Sequence, residues 1–321
     1  MGFDRSRRPP KGSQNPVPLG LLETHSETDT VGISAGVSMM QDVKPILVPL
    51  DGSSAAERAL PVAAAVARAT NAPLRIFHAV DAETALTVVE FDRAKALFTS
   101  YAQRVASRSC IPAMQHAPEV DIRVGSAASA ILESALESSM VVIASHGRGG
   151  FSAAMIGSVA DKVVRGAPVP VLVVPALRYA APLEGAPVLI AVDGSEASEL
   201  ALIRGRRLAT AFHSPVTLVR AFSVPPPVGA EFAYYPLDLL DTMQKGADEY
   251  LEKTAVTGEA THIAHGQPSQ VIIEAAERLD AGLVVMASTG KGRTTRLTLG
   301  SVTDRVLHSL RRPLLIIPAD D

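Results

Sequence analysis

The sequence lacks most features that would mark a disulfide-bonded, membrane-spanning or nucleic-acid-binding protein. Its single cysteine, Cys110, cannot form an internal disulfide, which suits a reducing compartment and predicts a cytoplasmic location. No apolar run approaches the roughly 18 residues that a membrane-spanning helix needs, so we expect no membrane partner. The net charge of −3 provides no general attraction for nucleic acid, which is therefore not an expected partner either.

The N-terminal segment also lacks a regular pattern of apolar residues. It is rich in Arg, Pro, Gly, Ser and Thr, and we predict a disordered tail over residues 1–43. The length of 321 residues favours about two domains. We expect these domains at residues 44–176 and 187–321, joined by a linker at residues 177–186.

A glycine-rich stretch at residues 141–159 carries the first sign of a binding site. It begins as a short apolar strand, passes through a loop with four glycines and reaches Ser158 at the start of a predicted helix. Glycine lets the backbone come close to a ligand, and a helix N-terminus presents unpaired N–H groups with a partial positive charge. Together these features favour a bound phosphate.

The same stretch recurs at residues 284–302, again with nine residues between the two loop glycines. Gly147, Gly157 and Pro175 each have a counterpart 143 residues later in the chain. Both halves also contain an early strand that ends in Asp-Gly-Ser. Because solenoid repeats are much shorter, the repetition indicates a duplicated globular domain.

Strands and helices are predicted to alternate in each half, in the order β-α-β-α-β-α-β-α-β. In the first half Ser54 and Glu57 have the spacing of a capping box, and Pro61 should bend the helix that follows or delay its start. The next helical period covers residues 93–109. This order predicts an α/β fold in which each half is a parallel sheet covered by helices on both faces.

The repeated motifs resemble those of a tandem universal stress protein. Each half has a strand ending in Asp-Gly-Ser, a loop with Gly, nine residues and Gly-Ser, and a final strand between two prolines. The resemblance covers residues 44–318 and implies two tandem Rossmann-like domains of the adenine nucleotide alpha hydrolase-like type, each with a five-stranded parallel sheet. In the ATP-binding branch of that family, adenine lies near the first two strands and the phosphates lie on the glycine loop. The switch-point rule for open α/β sheets puts a ligand at the same place.

The resemblance implies one ATP site in each half, with Mg²⁺ accompanying the nucleotide and no metal ligand assigned to the protein. The first-half site residues are predicted to be Pro49, Leu50, Asp51, Ala79, Ala144, Gly147, Arg148, Gly157, Ser158 and Val159. Those of the second half are Ala191, Val192, Asp193, Ala221, Ala287, Gly290, Lys291, Gly300, Ser301 and Val302. Ala144 and Ala287 depart from the family pattern, which usually has another glycine there. A methyl group is compatible with backbone contacts where φ is negative.

Most of these roles have a structural alternative that the sequence leaves open. The aspartates could serve only as turn or cap residues, since Asp-Gly-Ser suits a strand-to-helix turn. The glycine loops could be tight connections without a ligand, and Arg148 and Lys291 could be solvated side chains instead of phosphate contacts. His146 is replaced by Thr289 in the second half, so we expect no catalytic histidine shared by both sites and assign no catalytic residue.

The resemblance predicts a nucleotide-dependent stress or signalling regulator that binds adenine nucleotide and an unidentified protein partner. Two alternatives stay open, namely a slow ATPase or nucleotidyl-transfer enzyme, and a nucleotide-free dimerisation scaffold. The usual signature of a phosphoryl-transfer loop, Gly-x-x-x-x-Gly-Lys-Ser/Thr, is missing. The final strands, residues 169–174 and 314–317, are hydrophobic edges that we expect to pair. They would do so either in a homodimer or inside one chain as a pseudo-dimer.

Overall fold

The computed structural model describes residues 43–81, 87–109, 117–146, 156–175, 182–223, 238–290 and 299–319. The predicted tail as far as residue 42, Cys110 and half of the predicted linker (residues 177–181) lie outside these ranges. All described residues belong to one compact unit. Among them, no helix is both long and apolar enough to cross a membrane.

The first half consists of strands and helices that alternate in the predicted order. They are β1 (Ile46–Pro49), α1 (Ser54–Glu57), α2 (Ala59–Thr70), β2 (Leu74–Val80), α3 (Val88–Arg108), β3 (Glu119–Val124), α4 (Ala127–Ala135), β4 (Met140–Ala144), α5 (Ser158–Gly166) and β5 (Val171–Val174). The short α1 is separated from α2 only by Arg58, so the interruption falls just before Pro61, as expected of a proline near a helix start.

The second half repeats this order without the short additional helix. Its elements are β6 (Val188–Ala191), α6 (Glu196–Ala211), β7 (Val216–Phe222), α7 (Leu239–Thr254), β8 (Ala260–His265), α8 (Pro268–Arg278), β9 (Leu283–Ala287), α9 (Ser301–Ser309) and β10 (Leu314–Ile317). The two series confirm the predicted α/β class.

Two predicted helix starts in the first half were wrong, each because a nearby side chain selects a different cap. The N-cap of α1 is Ser53, not Ser54, because the Asp51 carboxylate holds Ser53 and the Ser53 hydroxyl accepts from the Ala56 N–H at 3.1 Å. Helix α3 begins at Val88 instead of residue 93. Its N-cap is Thr87, whose hydroxyl accepts from the Glu90 N–H at 3.2 Å.

In the part of the chain that the structure describes, ten strands form one sheet in the order β3-β2-β1-β4-β5-β10-β9-β6-β7-β8. Pairing is parallel within each half, whereas β5 and β10 are antiparallel, with Leu315 opposite Leu172. The structure thus confirms that the final strands pair inside one chain. This pairing covers two hydrophobic edges that would otherwise be exposed.

The sheet separates two hydrophobic cores. Side chains alternate across a strand, so Val48 belongs to the core under α2, α3, α6 and α7. Its neighbour Leu47 belongs to the core under α4, α5, α8 and α9. Both strand residues are fully buried, as expected for a parallel sheet with helices on both faces.

In each half the order in which strands are added to the sheet reverses once. The chain places β2 and β3 on one side of β1 and then crosses to the other side to form β4, and it does the same with β7, β8 and β9 around β6. At such a switch point the loops that follow the two strands diverge to opposite faces of the sheet. The divergence opens a crevice beyond the carboxyl ends of the strands, and this is where open α/β sheets bind their ligands.

Candidate functional site

The Asp-Gly-Ser turns form one side of the crevice in each half. Oδ1 of Asp193 accepts hydrogen bonds from the Ser195 N–H at 2.9 Å and from the Ser195 hydroxyl at 2.6 Å. Asp51 makes the same two bonds to Ser53, at 2.9 and 2.6 Å. Each aspartate therefore closes a turn with one of its oxygens, and this bond also fixes the direction of the carboxylate.

The second carboxylate oxygen of Asp193 faces the other strand at the switch point. A Cβ atom added at Gly290 would lie 2.5 Å from Oδ2, far inside a normal contact. A side chain at residue 290 would therefore force the Asp193 carboxylate or the loop to shift. Asp193 at the end of β6 and the loop after β9 consequently meet in the crevice.

The last glycine of each loop stands directly before a helix. Gly157 is the N-cap of α5 and Gly300 the N-cap of α9, and neither helix has a side-chain hydrogen bond at its cap. Their φ angles of −67° and −64° are open to any residue, so the need for glycine is steric. A Cβ at Gly300 would meet the Ser288 carbonyl oxygen and Thr289 Cα, both at 3.3 Å.

The same backbone hydrogen bond joins strand end and helix start in both halves. The Gly157 N–H donates to the Ser145 carbonyl at 2.7 Å, and the Gly300 N–H donates to the Ser288 carbonyl at 2.8 Å. This bond holds the first turn of α5 or α9 against the end of the preceding strand. The N–H groups of that turn therefore point into the crevice region at a fixed place.

In the second half these elements enclose a cavity of about 260 Å³. It is lined by Ala191, Val192, Asp193, Ser198, Val219, Ala221, Pro268, Ile272, Met286, Ala287, Thr289, Gly290, Gly300, Ser301, Val302 and Thr303. Nine of the ten site residues predicted for this half are among them, and the tenth, Lys291, lies outside the described residues.

The cavity wall is apolar on one side and polar on the other. Val219, Ile272 and Met286 provide the larger apolar contacts. Hydroxyl groups lie near the start of α9, where the Thr303 hydroxyl donates to the Ala287 carbonyl at 2.9 Å. An apolar pocket with a few fixed polar groups is the usual form of a small-molecule site, although this volume is just below the common range of about 300–1,000 Å³.

Sequence reasoning missed part of this lining. Pro268 and Ile272 come from the start of α8, which carries none of the repeated motifs, and Val219 lies in the middle of β7. Thr289 and Thr303 are within or next to the glycine-loop motif and could have been included on position alone. The residues from α8 reach the site only through tertiary packing.

The first half repeats the same framework. Leu50, which follows β1 (ending at Pro49), is buried, and its carbonyl is 2.7 Å from Nδ1 of His78. Ala79 is half-buried on β2 and Ala144 is buried at the end of β4. The α5 start contributes Gly157, Ser158 and Val159, whereas Gly147 and Arg148 lie outside the described residues.

A tyrosine and a glutamate support the Asp-Gly-Ser side of each half. The Tyr101 hydroxyl donates to Glu57 at 2.9 Å, and the Tyr250 hydroxyl donates to Glu199. Burial, together with the neighbouring carboxylate, raises the pKa of Tyr250 to about 12, so this hydroxyl remains a donor at neutral pH. The guanidinium of Arg220 stacks on the Tyr250 ring, 4.1 Å from its centroid.

The two halves differ at the residue before the first loop glycine. His146 places Nδ1 3.0 Å from the Ser145 hydroxyl oxygen, whereas the second half has Thr289 at this position. Burial lowers the pKa of His146 below its ordinary value and so favours the neutral imidazole. No cluster of three or more His, Cys, Asp or Glu side chains suited to a metal ion occurs among the residues described.

The duplicated sheet and its paired crevices agree with the comparison to known families. The model of the "Universal stress protein family" matches residues 42–175 and 186–318. The chain therefore belongs to the universal stress protein family and contains two copies of its domain.

Several named relatives share the tandem arrangement or one copy of it. Universal stress protein Rv2005c of Mycobacterium tuberculosis is 27% identical over 290 residues, which cover 84% of this chain and 96% of that protein. Universal stress protein MJ0531 of Methanocaldococcus jannaschii is 31% identical over 138 residues, covering 40% of this chain and 80% of that protein.

Solved structures show the same fold over most of the chain. A universal stress protein from Archaeoglobus fulgidus superposes with a TM-score of 0.65 at 17% identity, covering 86% of this chain and 98% of that one. The functionally unknown protein PA1789 from Pseudomonas aeruginosa gives a TM-score of 0.64 at 18% identity, with coverages of 88% and 95%. At these identities the likeness is one of fold.

Proposed function

We propose that each half of the chain binds one adenine nucleotide, ATP with Mg²⁺, and that the protein acts as a nucleotide-dependent stress or signalling regulator. One observation carries the proposal. Nine of the ten residues selected in the second half from the sequence line a single cavity at the switch point of the sheet.

The chemistry of the cavity fits the parts of a nucleotide. A purine is flat and apolar on its faces and suits the wall formed by Val219, Ile272 and Met286. Asp193 provides a fixed carboxylate that can accept hydrogen bonds from ribose hydroxyls. The start of α9 has no side-chain cap, so its N–H groups and partial positive charge are suited to a phosphate.

The volume of the cavity limits how much of the nucleotide it can enclose. A cavity of about 260 Å³ suits the nucleoside and the first phosphate better than a whole triphosphate. The remaining phosphates would extend along the start of α9. Mg²⁺ is usually held by phosphate oxygens and water with few protein ligands, which is compatible with a described region that has no acidic metal cluster.

Two matched substitutions test the proposal. Ala221 on β7 and Ala79 on β2 occupy equivalent half-buried places, and Ala221 lines the cavity. We expect Ala221→Leu to fill the second site and Ala79→Leu the first. Native mass spectrometry with Mg-ATP should show two nucleotides on the unmutated chain, one on each single variant and none on the double variant.

The control is Gly246→Ala, because residue 246 is exposed on α7 and the added Cβ would meet nothing within 4 Å beyond the neighbouring backbone of its own helix. This variant should keep both nucleotides. Failure of the unmutated chain to bind any nucleotide at millimolar Mg-ATP would overturn the proposal. An unchanged count of two in both leucine variants would remove the assignment of the sites while leaving nucleotide binding intact.

The remaining predictions on activity, association and location also belong to this proposal. Turnover above about one ATP per second would favour the enzyme alternative. The pairing of β5 with β10 occupies the strand edges that a scaffold would use, so association of two chains would need another surface. Light scattering coupled to size exclusion, with and without ATP, measures that association. The predicted cytoplasmic location and protein partner await cell fractionation and co-purification.

A further inference from the structure

A larger cavity lies on the α2 side of the sheet, where the first half meets the chain that leads into the second. Its volume is about 440 Å³, which is within the common range of about 300–1,000 Å³ for small-molecule sites. One wall is a face of α2, the base is the end of β5, and the opposite wall is formed by residues 182–184. Residues 176–181 lie outside the described ranges. The described lining shares no residue with the predicted nucleotide sites of either half.

The α2 wall of this cavity combines small apolar side chains with two arginines. Arg58, Val62, Ala65 and Arg68 follow one another at intervals of four or three residues, which places them on one face of the helix and its cap. Ala65 is buried, whereas Val62 is half-buried. The apolar surface thus lies in the middle of the wall, and an exposed guanidinium group lies at each end of it.

The opposite wall is held in place by the second half. Leu183 is buried in the core under α2 and α6, and its carbonyl accepts a hydrogen bond from the Ser214 hydroxyl at 3.2 Å. The N–H of Gly185 donates to the Phe212 carbonyl at 2.9 Å. The base is also fixed, because Val174 at the end of β5 is buried. The cavity therefore has walls whose positions are set by packing and backbone bonds.

Positive charge is in excess along the described lining. Arg68 reaches across to the opposite wall, where its guanidinium nitrogen is 3.4 Å from Oε1 of Glu184. Arg58 makes no ion pair and no side-chain hydrogen bond with any residue that the structure describes. An apolar cavity with an unpaired guanidinium group beside it is complementary to a ligand that has an apolar body and one negative charge.

The corresponding helix of the second half has different residues at these places. Counting from the two Asp-Gly-Ser turns, Leu200 on α6 corresponds to Arg58, Arg207 to Ala65 and Thr210 to Arg68. The two arginines at the ends of the wall are therefore replaced by uncharged residues, and the small residue in its middle is replaced by a long charged one. The combination of an apolar wall with terminal arginines is particular to α2.

We propose that this cavity binds a small organic acid, with its apolar body against Val62, Ala65 and Val174 and its carboxylate beside Arg58 and Arg68. Arginine is suited to this role because its planar fork of N–H groups matches a carboxylate. Glu184 then competes with the ligand for Arg68. Because this cavity and the nucleotide sites have separate linings, the inference is independent of the proposed function.

The test is calorimetric titration of the full chain with hexanoate, octanoate and decanoate, and with octanol as the neutral counterpart of octanoate. Burial of the apolar body should raise affinity by up to about fourfold for each added methylene group. The carboxylate should make octanoate bind more tightly than octanol. Saturating Mg-ATP should leave the titration with octanoate unchanged.

Substitutions then separate the contribution of charge from that of shape. Arg58→Gln and Arg68→Gln should each weaken octanoate about three- to fivefold, as expected for a partly exposed ion pair, and leave octanol unchanged. Glu184→Gln should strengthen octanoate by a similar factor, because it frees Arg68. Ala65→Phe should fill the cavity and remove binding of both compounds. The control Arg207→Gln removes the same charge from an exposed position on α6 and should change neither affinity.

The inference is overturned if the unmutated chain binds none of the acids at millimolar concentration, a result that leaves the proposed nucleotide sites unaffected. Competition by Mg-ATP would assign the acid to a nucleotide crevice instead. Equal weakening by Arg207→Gln would reduce the effect to general charge attraction. Undiminished binding by an Ala65→Phe chain with unchanged Tm would contradict the location. Should Ala65→Phe fail to fold, the three charge variants at exposed residues still decide, since unchanged octanoate affinity in all of them refutes the site.

Discussion

Substitution of Gly290 by alanine should disturb the second site through one short contact. The added methyl carbon would lie 2.5 Å from Oδ2 of Asp193, so the carboxylate or the loop must move by roughly 1 Å to reach a normal contact distance. The carboxylate is not free to rotate without loss, because its Oδ1 accepts two hydrogen bonds from Ser195 at 2.9 and 2.6 Å.

The expected cost can be worked out from these contacts. Weakening one hydrogen bond to a charged group costs about 1.5–3 kcal/mol. Replacing glycine by alanine offsets about 0.4–1 kcal/mol of this by restricting the unfolded chain. The net loss of stability for Gly290→Ala is therefore about 0.5–2.5 kcal/mol, which corresponds to a fall in Tm of roughly 1–10 °C for a unit of this size.

Calorimetry and thermal unfolding together check the reasoning. Affinity at the second site should fall at least about tenfold, since displacement of Asp193 costs about 1.4 kcal/mol or more of binding free energy, while the first site keeps its affinity. Gly246→Ala, with open space around the added Cβ, should instead raise Tm slightly and leave both sites intact. A Gly290→Ala chain with unchanged Tm and two equal sites would refute the proposed contact.

Two further predictions concern stability. Gly205→Ala on α6 places a methyl group 2.8 Å from Cδ1 of Ile190, and this crowding should cost about 1–3 kcal/mol. Because this cost outweighs the gain in helix propensity, Tm should fall, whereas Gly246→Ala should raise it. A rise in Tm in both variants would contradict this prediction. Burial pushes the pKa of Glu259 up, but its bonds to Arg206, both 2.7 Å, and to a backbone N–H outweigh burial and lower it. The stability from this pair is present above the ordinary carboxyl pKa and is lost as pH falls through the lowered one. Urea unfolding should therefore show that Arg206→Ala destabilises much more at pH 7 than at pH 3, and an equal loss at both would refute the pairing.

The repeated motifs made most of the fold and nine of the sixteen residues that line the cavity in the second half predictable from sequence. Asp-Gly-Ser and the glycine loops act through backbone geometry, and only a few residue types can supply that geometry. Gly52 and Gly194, for example, have φ angles of +84° and +78°, which side chains rarely allow. Because so few residue types allow these φ angles, the sequence motif alone was enough to predict both turns.

Features that depend on competition between neighbouring side chains were harder to predict. The sequence Thr87-Val-Val-Glu90 has capping-box spacing, and the Thr87 hydroxyl also donates to Glu90 at 2.8 Å, so a signal for the start of α3 was present and overlooked. The choice of Ser53 over Ser54 was different. It follows from the Asp51 carboxylate two residues earlier, and spacing alone does not reveal it.

Comparison of the two halves distinguishes the positions that the fold constrains from those whose residues differ between the two crevices. Positions that set the turn and the helix start are the same in both, including the glycine before α5 or α9 and the aspartate of each turn. The side chain before the first loop glycine differs, with His146 in one half and Thr289 in the other. Because β5 and β10 join the halves in one chain, a change in one site need not be repeated in the other, as it must be in a homodimer. Duplication thus allows one molecule to carry two crevices built on the same framework with different side chains beside the first loop glycine.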